Sequence, residues 1–365
     1  MSLQAFLIII LFLLFVFQAL QVYFFRRKQP AYGGIFIVFF WLTFVFLLYN
    51  FSILFSANVP HQSHGQPRIV PINKGETLTQ IAGRLFDESI IENKKYFLWT
   101  ASIMGLDHRV QAGKYILAPF MSNHSIIRQL TSGGVVQERV TIIEGISAKE
   151  IASLFSQSLD IDSTRFMQIV NDSSITESLG IDSPNLEGYL FPETYHFSWG
   201  VSEFDVVETL VGEFKKNIAD SILAAAQSYN MTLHDLVILA SIIEGEAVVD
   251  EERPLISAVF HNRLNRDMYL NADPTIQYII PDGPRRLLDE DLEIDSPYNT
   301  YKNKGLPPGP INNPGLKSLL AAAFPSSETY LYFVATGEGG HYFSRTYAEH
   351  LEAKKKLDQL RKKIR

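Results

Sequence analysis

The stretch LHDLVILASIIEGEAVVDEERPLISAVFHNRLNRDMYLNADPTIQY, from Leu233 to Tyr278, predicts two helices joined by an acidic turn and followed by a polar loop. Just before it, Thr232 has Asp235 three positions on, which is the spacing of a capping box, so we expect the first helix to begin at Leu233. That helix is apolar over most of its length but carries Glu244 near its end. The position of this carboxyl group guides the interpretation of the rest of the chain.

The helical period puts Glu244 on the packed side of this helix, because it follows Ala240 by four positions and Val237 by seven. Glu246, two positions on, should point to roughly the opposite side. A carboxyl among Leu, Ile and Ala side chains is costly to ionise, so we expect Glu244 to keep its proton near neutral pH. Such a group can protonate a departing glycosidic oxygen.

A structural ion pair is the alternative for Glu244, with Arg253 or Arg263 as its partner. Taken alone, the residue favours this alternative, since structural ion pairs also perturb carboxylates.

Composition excludes several classes of protein. The chain has 365 residues and a net charge of −7 with the charges interspersed, which argues against binding to nucleic acid. It contains no cysteine, which excludes disulfides, cysteine–zinc sites and thiol catalysis. Its 9 histidines include no ligand spacing such as HExxH, so we expect no metal and no other cofactor.

The N-terminal residues 1–58 predict a membrane anchor. Two uncharged apolar runs, Leu3–Phe25 and Gly34–Leu54, are each long enough to span a bilayer, which takes about 20 residues. The basic triplet Arg26–Lys28 between them should stay in the cytoplasm. We therefore expect a transmembrane helical hairpin, followed by a polar linker at 59–67 that lies outside with the rest of the chain. A buried core hairpin is the alternative, which the uncharged runs disfavour.

The chain then repeats itself weakly with an offset of 70 residues, since VPINKGETLTQIAGRLF from Val70 matches VTIIEGISAKEIASLFS from Val140. Each copy predicts a strand, a glycine turn and an amphipathic helix. The first copy continues through a second helix, Lys94–Met104, to a return strand at Gly113–Leu117. This order, over 68–137, resembles the small LysM-type modules that bind glycans containing N-acetylglucosamine. A spacer without a ligand is the alternative.

The second copy belongs to a related α/β unit at 138–230 and runs into LEGYLFPETY, from Leu186 to Tyr195. Its aromatic rings at alternate positions, Tyr189 among them, suit stacking on sugar faces, and Glu187 suits hydrogen bonds to hydroxyl groups. Ordinary strand alternation explains the aromatic spacing equally well.

Six ordered motifs, together with LEGYLFPETY and the LysM-like unit, make the chain resemble the endolytic murein transglycosylases, membrane-anchored enzymes of bacterial cell-wall synthesis. The motifs are ASIIEGE (240–246), VFHNRL (259–264), MYLNADPTIQY (268–278), SPYNTY (296–301), GLPPGPI (305–311) and YLYFVATGEGGHYF (330–343). The resemblance covers nearly all of the chain after the linker, and its signal lies in the ordered set rather than in any one motif.

The resemblance implies that Glu244, the first Glu of ASIIEGE, is catalytic, and it displaces the ion-pair alternative. It implies a lytic cut of the β-1,4 bond between N-acetylmuramic acid (MurNAc) and N-acetylglucosamine (GlcNAc) in nascent glycan strands, which terminates strand elongation. Glu244 would protonate the leaving oxygen and then take the proton of the muramic C6 hydroxyl, closing a 1,6-anhydro ring. Because the substrate supplies the nucleophile, no second carboxylate is required.

Three further residues, Asn262, Asp273 and Tyr278, are candidates for orienting the sugar or Glu244. Loop capping is the alternative for the first two, and core packing for the third. We also expect Asp250 to cap the second helix, and the Asp–Pro pair at Asp273 to lie in an ordered loop.

Two departures from the family stand out. Relatives usually carry a single membrane span, where two are predicted here. A basic residue commonly follows the catalytic Glu, where this chain has Gly245. Because glycine costs a helix about 1 kcal/mol relative to alanine, it suggests a kink at the site.

The expected fold class is therefore α+β, with a transmembrane helical hairpin, LysM-like α/β modules, a mixed α+β catalytic domain at 231–347 and a basic C-terminal helix at 348–365. The expected partners are peptidoglycan strands, the membrane and peptidoglycan synthases, with the catalytic region on the extracytoplasmic side of the inner membrane. Two rivals remain. One is a non-catalytic glycan-binding scaffold for cell-wall enzymes, and the other is a glycoside hydrolase in which Glu246 or Asp273 assists a water.

Overall fold

The computed structural model describes residues 3–55, 67–73, 75–106, 109–118, 120–132, 136–159, 161–281 and 283–364. The chain divides into two compact units, one of residues 1–138 with 198–200 and the other of residues 139–197 with 201–365. Of the linker expected at 59–67, only Pro67 lies within the described residues.

The first unit begins with two apolar helices, α1 (Leu3–Arg26) and α2 (Pro30–Phe55), which are joined by a short turn and pack against each other. Within the described residues, one helical segment, Tyr32–Ile53, is long and apolar enough to cross a membrane, and Leu11–Arg26 forms a shorter apolar helix. The helical hairpin is therefore present, but length and composition support one of the two predicted spans.

The described remainder of the first unit is a small module of strands and helices. Its elements are β1 (Arg68–Ile72), α3 (Leu78–Asp87), α4 (Lys94–Met104), β2 (Gly113–Leu117) and α5 (Asn123–Thr131). The predicted strand–helix–helix–strand order is confirmed, and α4 and β2 have the predicted bounds. Helix α5 was not predicted.

The module closes around one hydrophobic core. Strands β1 and β2 pair antiparallel with Val70 opposite Tyr115, and both side chains are buried. Helix α3 starts at a capping box, in which the Gln80 N–H donates to the Thr77 hydroxyl and the Thr77 N–H donates to the Gln80 side chain. Local capping and strand alternation thus account for the start of the module.

The second unit is mostly helical. Its elements are β3 (Gln137–Thr141), α6 (Ala148–Leu159), α7 (Ser163–Val170), α8 (Ser173–Ser178), β4 (Thr194–Ser198), α9 (Glu203–Asn217), α10 (Asp220–Ser228), α11 (Leu233–Glu246), α12 (Arg253–Leu264), α13 (Asp273–Ile279), α14 (Leu316–Ala323), β5 (Tyr332–Ala335), β6 (His341–Ser344) and α15 (Tyr347–Ile364). Strand β3 pairs with β4, and β5 pairs with β6. One hydrophobic core runs from Val140 to Ala323 and includes residues on both sides of position 230. The mixed α+β class is confirmed.

Helix α11 is at the centre of this core. It begins at Leu233 as predicted, and the capping box between Thr232 and Asp235 is formed. Every residue from Leu236 to Ile243 is buried, so the helix is covered on all sides rather than on one face. Helices α10, α12, α13 and α14 contact it. Glu244 therefore stands where the helix leaves the core.

Two local expectations are wrong. Asp250 does not cap α12, because it opens a 3-10 turn, Asp250–Glu252, after which α12 begins with Pro254 in its first turn as predicted. Asp273 does not lie in a loop, because it is the first residue of α13. The proline after it is tolerated there, since the first turn of a helix needs no N–H donor at that position.

A β-hairpin and a basic helix end the unit. Strands β5 and β6 pair from Tyr332↔Ser344 to Ala335↔His341 around a glycine-rich turn. Helix α15, which contains the basic segment expected at 348–365, packs on this hairpin, and its residues Ala353 and Leu357 are buried.

Candidate active site

Glu244 lines a groove of about 560 Å³ together with the segments 141–144 and 192–194. Its side chain is 6% exposed, and each carboxylate oxygen has its own donor. Arg253 Nη1 donates to Oε1 at 3.0 Å, and the Gly315 backbone N–H donates to Oε2 at 2.9 Å. The carboxylate is therefore held in one orientation at the edge of the core.

These contacts show that the expectation of purely apolar surroundings for Glu244 is wrong. The side chain of Arg253 is itself 9% exposed, so the ion pair is nearly shut off from water. The sequence offered this pair as the alternative, and it is formed. A cation beside a carboxylate stabilises the ionised form, so burial alone does not decide whether Glu244 carries a proton.

Arg253 is oriented by contacts on its other side. Its Nε donates to Asp250 at 2.9 Å, and its Nη1 also donates to the Ser318 hydroxyl. Asp250 accepts a further hydrogen bond from Lys317, and these two contacts, that of Lys317 first, hold the pKa of Asp250 below its usual range. Charge-assisted bonds of this kind fix the direction of the guanidinium.

The segment that presents Gly315 is anchored by Asn313, which has no exposed surface. The Asn313 side chain makes four hydrogen bonds of 2.9–3.0 Å: it accepts from the N–H groups of Gly188 and Leu190, and it donates to the Ile146 carbonyl and to Glu187 Oε1. A buried amide with all its bonds satisfied makes its surroundings rigid. Asn313 therefore positions the N–H group that holds Glu244.

Two further carboxylates, Glu144 and Glu193, line the same groove. Glu144 is exposed as a residue, yet partial burial of its carboxyl and the negative charge of Glu244 raise its pKa. The positive charges of Arg253 and Lys317 act in the opposite direction. Glu144 and Glu244 are thus close enough to influence each other's charge.

A larger cleft, of about 890 Å³, adjoins the groove. Gly145 and Gly245 both line it, and a Cβ built on Gly145 would lie 3.3 Å from Glu244 Cγ. The cleft brings together two of the predicted substrate-binding residues, Glu187 and Tyr278. Both therefore lie next to the Glu244 groove.

Glu187 is 7% exposed, and its Oε1 accepts hydrogen bonds from the Ala148 N–H and from Asn313 Nδ2, both at 2.9 Å. Burial raises the pKa of Glu187 to about 7, against the effect of these two bonds. Tyr278 is 37% exposed, and its ring centroid lies 5.0 Å from that of Tyr298. The cleft therefore offers a partly free aromatic ring and a carboxyl that titrates near neutral pH.

Tyr189 lies elsewhere. Its ring is 1% exposed, and its hydroxyl is hydrogen-bonded to His234 Nδ1 at 2.8 Å, beside a separate pocket that includes Pro308. A ring enclosed in this way has no face free to stack on a sugar.

Asn262 also lies apart from the groove. Its Nδ2 donates to the backbone carbonyls of Glu328 and Tyr330, each at 2.9 Å. The side chain therefore joins α12 to the segment that leads into β5, which is a structural contact.

Asp273 and Glu246 line neither the groove nor the cleft. Asp273 accepts a hydrogen bond from the Tyr301 hydroxyl. Burial first, and then the charge of Asp273, raise the pKa of Glu246 to about 8. The two carboxyls thus form a separate acidic pair, close to the positive charge of Arg263.

Metal chemistry finds no donor set in the described part of the chain, where no group of three or more His, Asp, Glu or Cys side chains is arranged to hold an ion. The residues that the sequence missed are Glu144, Asn313 and Gly315. Each contributes through contacts with distant parts of the chain, and only the glycine after Glu144 in the repeat marked that segment as a turn.

Comparisons with known proteins agree with this architecture. The model of the YceG-like family matches residues 70–356. An endolytic murein transglycosylase of Bacillus subtilis (strain 168) is 34% identical over 303 residues, covering 79% of this chain and 84% of that protein. One of Streptococcus pneumoniae serotype 2 (strain D39 / NCTC 7466) is 31% identical over 326 residues, covering 78% of this chain and 58% of that longer protein.

Among solved structures, the putative yceG-like protein lmo1499 from Listeria monocytogenes matches with a TM-score of 0.55 and 33% identity, covering 79% of this chain and 98% of that one. The family match extends over most of the chain, including the groove, the cleft and the Glu244 helix. The chain therefore belongs to the YceG-like family.

Proposed function

We propose that this chain is an endolytic murein transglycosylase, a lyase that cuts the β-1,4 bond between MurNAc and GlcNAc within nascent peptidoglycan strands and leaves 1,6-anhydroMurNAc ends. The observation that carries the proposal is the Glu244 carboxylate, which is nearly buried, held by two donors and open to a groove. The names of the curated relatives support the reaction.

The reaction asks one carboxyl group to act twice. Glu244 donates its proton to the leaving glycosidic oxygen as the bond breaks, and the sugar develops oxocarbenium character. The resulting carboxylate then takes the proton of the MurNAc C6 hydroxyl, whose oxygen closes the anhydro ring. Glu244 ends the cycle protonated again, so no water and no cofactor is consumed.

Arg253 and Gly315 favour the second half of this cycle. Their hydrogen bonds to Oε1 and Oε2 stabilise the carboxylate that must act as the base. The same contacts oppose the first half, in which Glu244 must hold a proton. Exclusion of water by a bound strand helps the first half, because a less hydrated carboxyl is harder to ionise.

Substrate binding is assigned to the cleft next to the groove. Glu187 and Tyr278 line it, and they offer hydrogen bonds and a ring face to a sugar. An extended glycan strand cut in its interior needs contacts on both sides of the scissile bond, which a groove adjoining a cleft can supply. Structural roles are assigned to Tyr189 and Asn262, whose side chains are bonded within the fold.

A membrane anchor is part of the proposal. The apolar helix Tyr32–Ile53 supports anchoring, and the basic residues Arg26–Lys28 favour a cytoplasmic loop with the groove on the extracytoplasmic side of the inner membrane. Synthases that make the nascent strands are the partners expected there, and the LysM-like module is the candidate for glycan binding.

The test is product analysis with the full-length chain in detergent. Incubation with uncrosslinked glycan strands should release 1,6-anhydroMurNAc ends, identified by mass spectrometry, and Glu244→Gln should reduce their release at least 1,000-fold, since the proton donor and base is lost. The matched control is Glu193→Gln, which changes another carboxyl of the same groove and should keep activity within about threefold.

The rivals predict different products. A hydrolase using Glu246 or Asp273 would leave reducing ends heavier by one water, and Glu244→Gln would keep activity. A non-catalytic scaffold would bind strands while wild type and Glu244→Gln were equally inert. Either result would refute the proposed lyase.

A further inference from the structure

Glu144 shares the catalytic groove with Glu244 and has no role in the reaction described so far. It lies in the turn after β3, immediately before Gly145. In the part of the chain that the structure describes, its carboxylate makes no hydrogen bond and no ion pair. A carboxylate without a partner beside a catalytic carboxyl is the starting observation.

Gly315 separates the two carboxylates. Its N–H donates to Glu244 Oε2 at 2.9 Å, and a Cβ built on it would lie 1.9 Å from Glu144 Oε1. The Glu144 carboxylate therefore rests against the α-carbon of the residue whose N–H binds Glu244. Only glycine leaves room for this arrangement, because a Cβ would overlap the carboxylate.

The charges around Glu144 come from several elements. Glu244 of α11 and Asp250 of the 3-10 turn are negative, Arg253 of α12 and Lys317 of α14 are positive, and Glu193 lies in the same groove. Lys317 is bonded to Asp250, and Arg253 is shared between Asp250 and Glu244. The two cations are thus already paired, and Glu144 remains an uncompensated negative charge.

We propose that Glu144 is a positioning residue for the catalytic proton: its negative charge offsets that of Arg253, so that Glu244 holds the proton it must give to the leaving oxygen. This inference rests on the proposed function. Two nearby carboxylates disfavour each other's ionised form, so a charged Glu144 keeps Glu244 protonated to higher pH. Glu144 itself neither gains nor loses a proton in the cycle.

The experiment measures anhydro-end release by the full-length chain as a function of pH. Glu144→Gln removes the charge and keeps the shape, so the alkaline limb of the rate profile should move to lower pH by about 0.5 to 1 unit. On the acid side of the limb, where Glu244 is protonated in both proteins, the rates should agree within about twofold. Glu144→Asp keeps the charge and should restore most of the wild-type profile.

Glu193→Gln is the matched control, because Glu193 lines the groove but is not among the charges that act on Glu144. Its alkaline limb should stay within about 0.2 unit of that of the wild type. An equal loss of rate at every pH in Glu144→Gln, or a Glu144→Asp profile like that of Glu144→Gln, would overturn the inference while leaving the lyase intact. A wild type that releases no anhydro ends, or a fully active Glu244→Gln, would overturn the proposed function as well.

Discussion

Gly245 approaches Pro274 so closely that a Cβ on Gly245 would lie 2.6 Å from the Pro274 Cβ. Helix α11 continues through Gly245 to Glu246, so the glycine does not end the helix early. What it permits is the contact between the end of α11 and the start of α13, where the groove meets the cleft. A basic side chain, common here in relatives, has no room on this face.

Gly245→Ala should therefore lower catalytic activity. The added methyl group meets a rigid proline ring, so α11 or α13 must shift and carry Glu244 with it. A displacement of a few tenths of an ångström should cost roughly tenfold in kcat. Steady-state kinetics on glycan strands would measure this. The control is Gly212→Ala in α9, where a Cβ meets nothing within 4 Å and should stabilise the helix by about 1 kcal/mol. Equal kinetics for both variants would contradict the argument.

Arg253→Met should destabilise the protein. It leaves the Glu244 carboxylate nearly buried without its cation, which typically costs about 3 to 5 kcal/mol, or an apparent melting temperature lower by about 10 °C. Thermal unfolding of the full-length chain would measure the loss. The double variant with Glu244→Gln should lose less than the sum of the single variants, because no charge is then left unpaired.

The control for Arg253 is Arg345→Met, whose ion pair with Glu328 is 55% and 40% exposed and should be worth less than about 1 kcal/mol. Equal losses from the two arginine variants, or strict additivity in the double variant, would show that the buried pair is not coupled.

Glu187 should make stability depend on pH. Its pKa is about 7 in the folded protein and about 4.5 in the unfolded chain, so the folded state binds the proton more tightly. Stability from this group is complete below pH 4.5 and is lost as pH rises towards 7, by about 3 kcal/mol in total. Glu246, with a pKa of about 8, acts in the same direction.

Glu187→Gln should flatten this dependence, because the amide keeps an acceptor oxygen for Ala148 and Asn313 but has no charge. The melting temperatures of wild type and variant should match most closely near pH 5, and the variant should be the more stable one at pH 8. Parallel curves from pH 5 to pH 8 would contradict a raised pKa.

Tyr278 and Asn262 should separate substrate binding from structure. Tyr278→Ala removes a partly exposed ring from the cleft and should raise KM about three- to tenfold with little change in kcat. Asn262→Ala leaves two backbone carbonyls without a donor and should lower stability by about 1 to 3 kcal/mol while leaving KM unchanged. The opposite assignment of effects would return Asn262 to the substrate site.

Sequence alone determined the local features. The capping box at Thr232, the bounds of α4 and β2, and the hairpin before α15 follow from patterns within a few residues, because hydrogen bonds at helix starts and alternation in strands are local. Glu244 stood out for the same reason, as a carboxyl in a nearly uniform apolar helix.

The tertiary structure decided which groups meet Glu244. Arg253, Gly315 and Glu144 reach it from three separate segments, and no period in the sequence relates them. Burial was misjudged for a similar reason: Tyr189 and Asn262 have polar groups suited to sugars, but distant neighbours satisfy those groups inside the fold. The charge state of a buried carboxyl depends on neighbours brought close by folding, whereas the helix that carries it depends on its own residues.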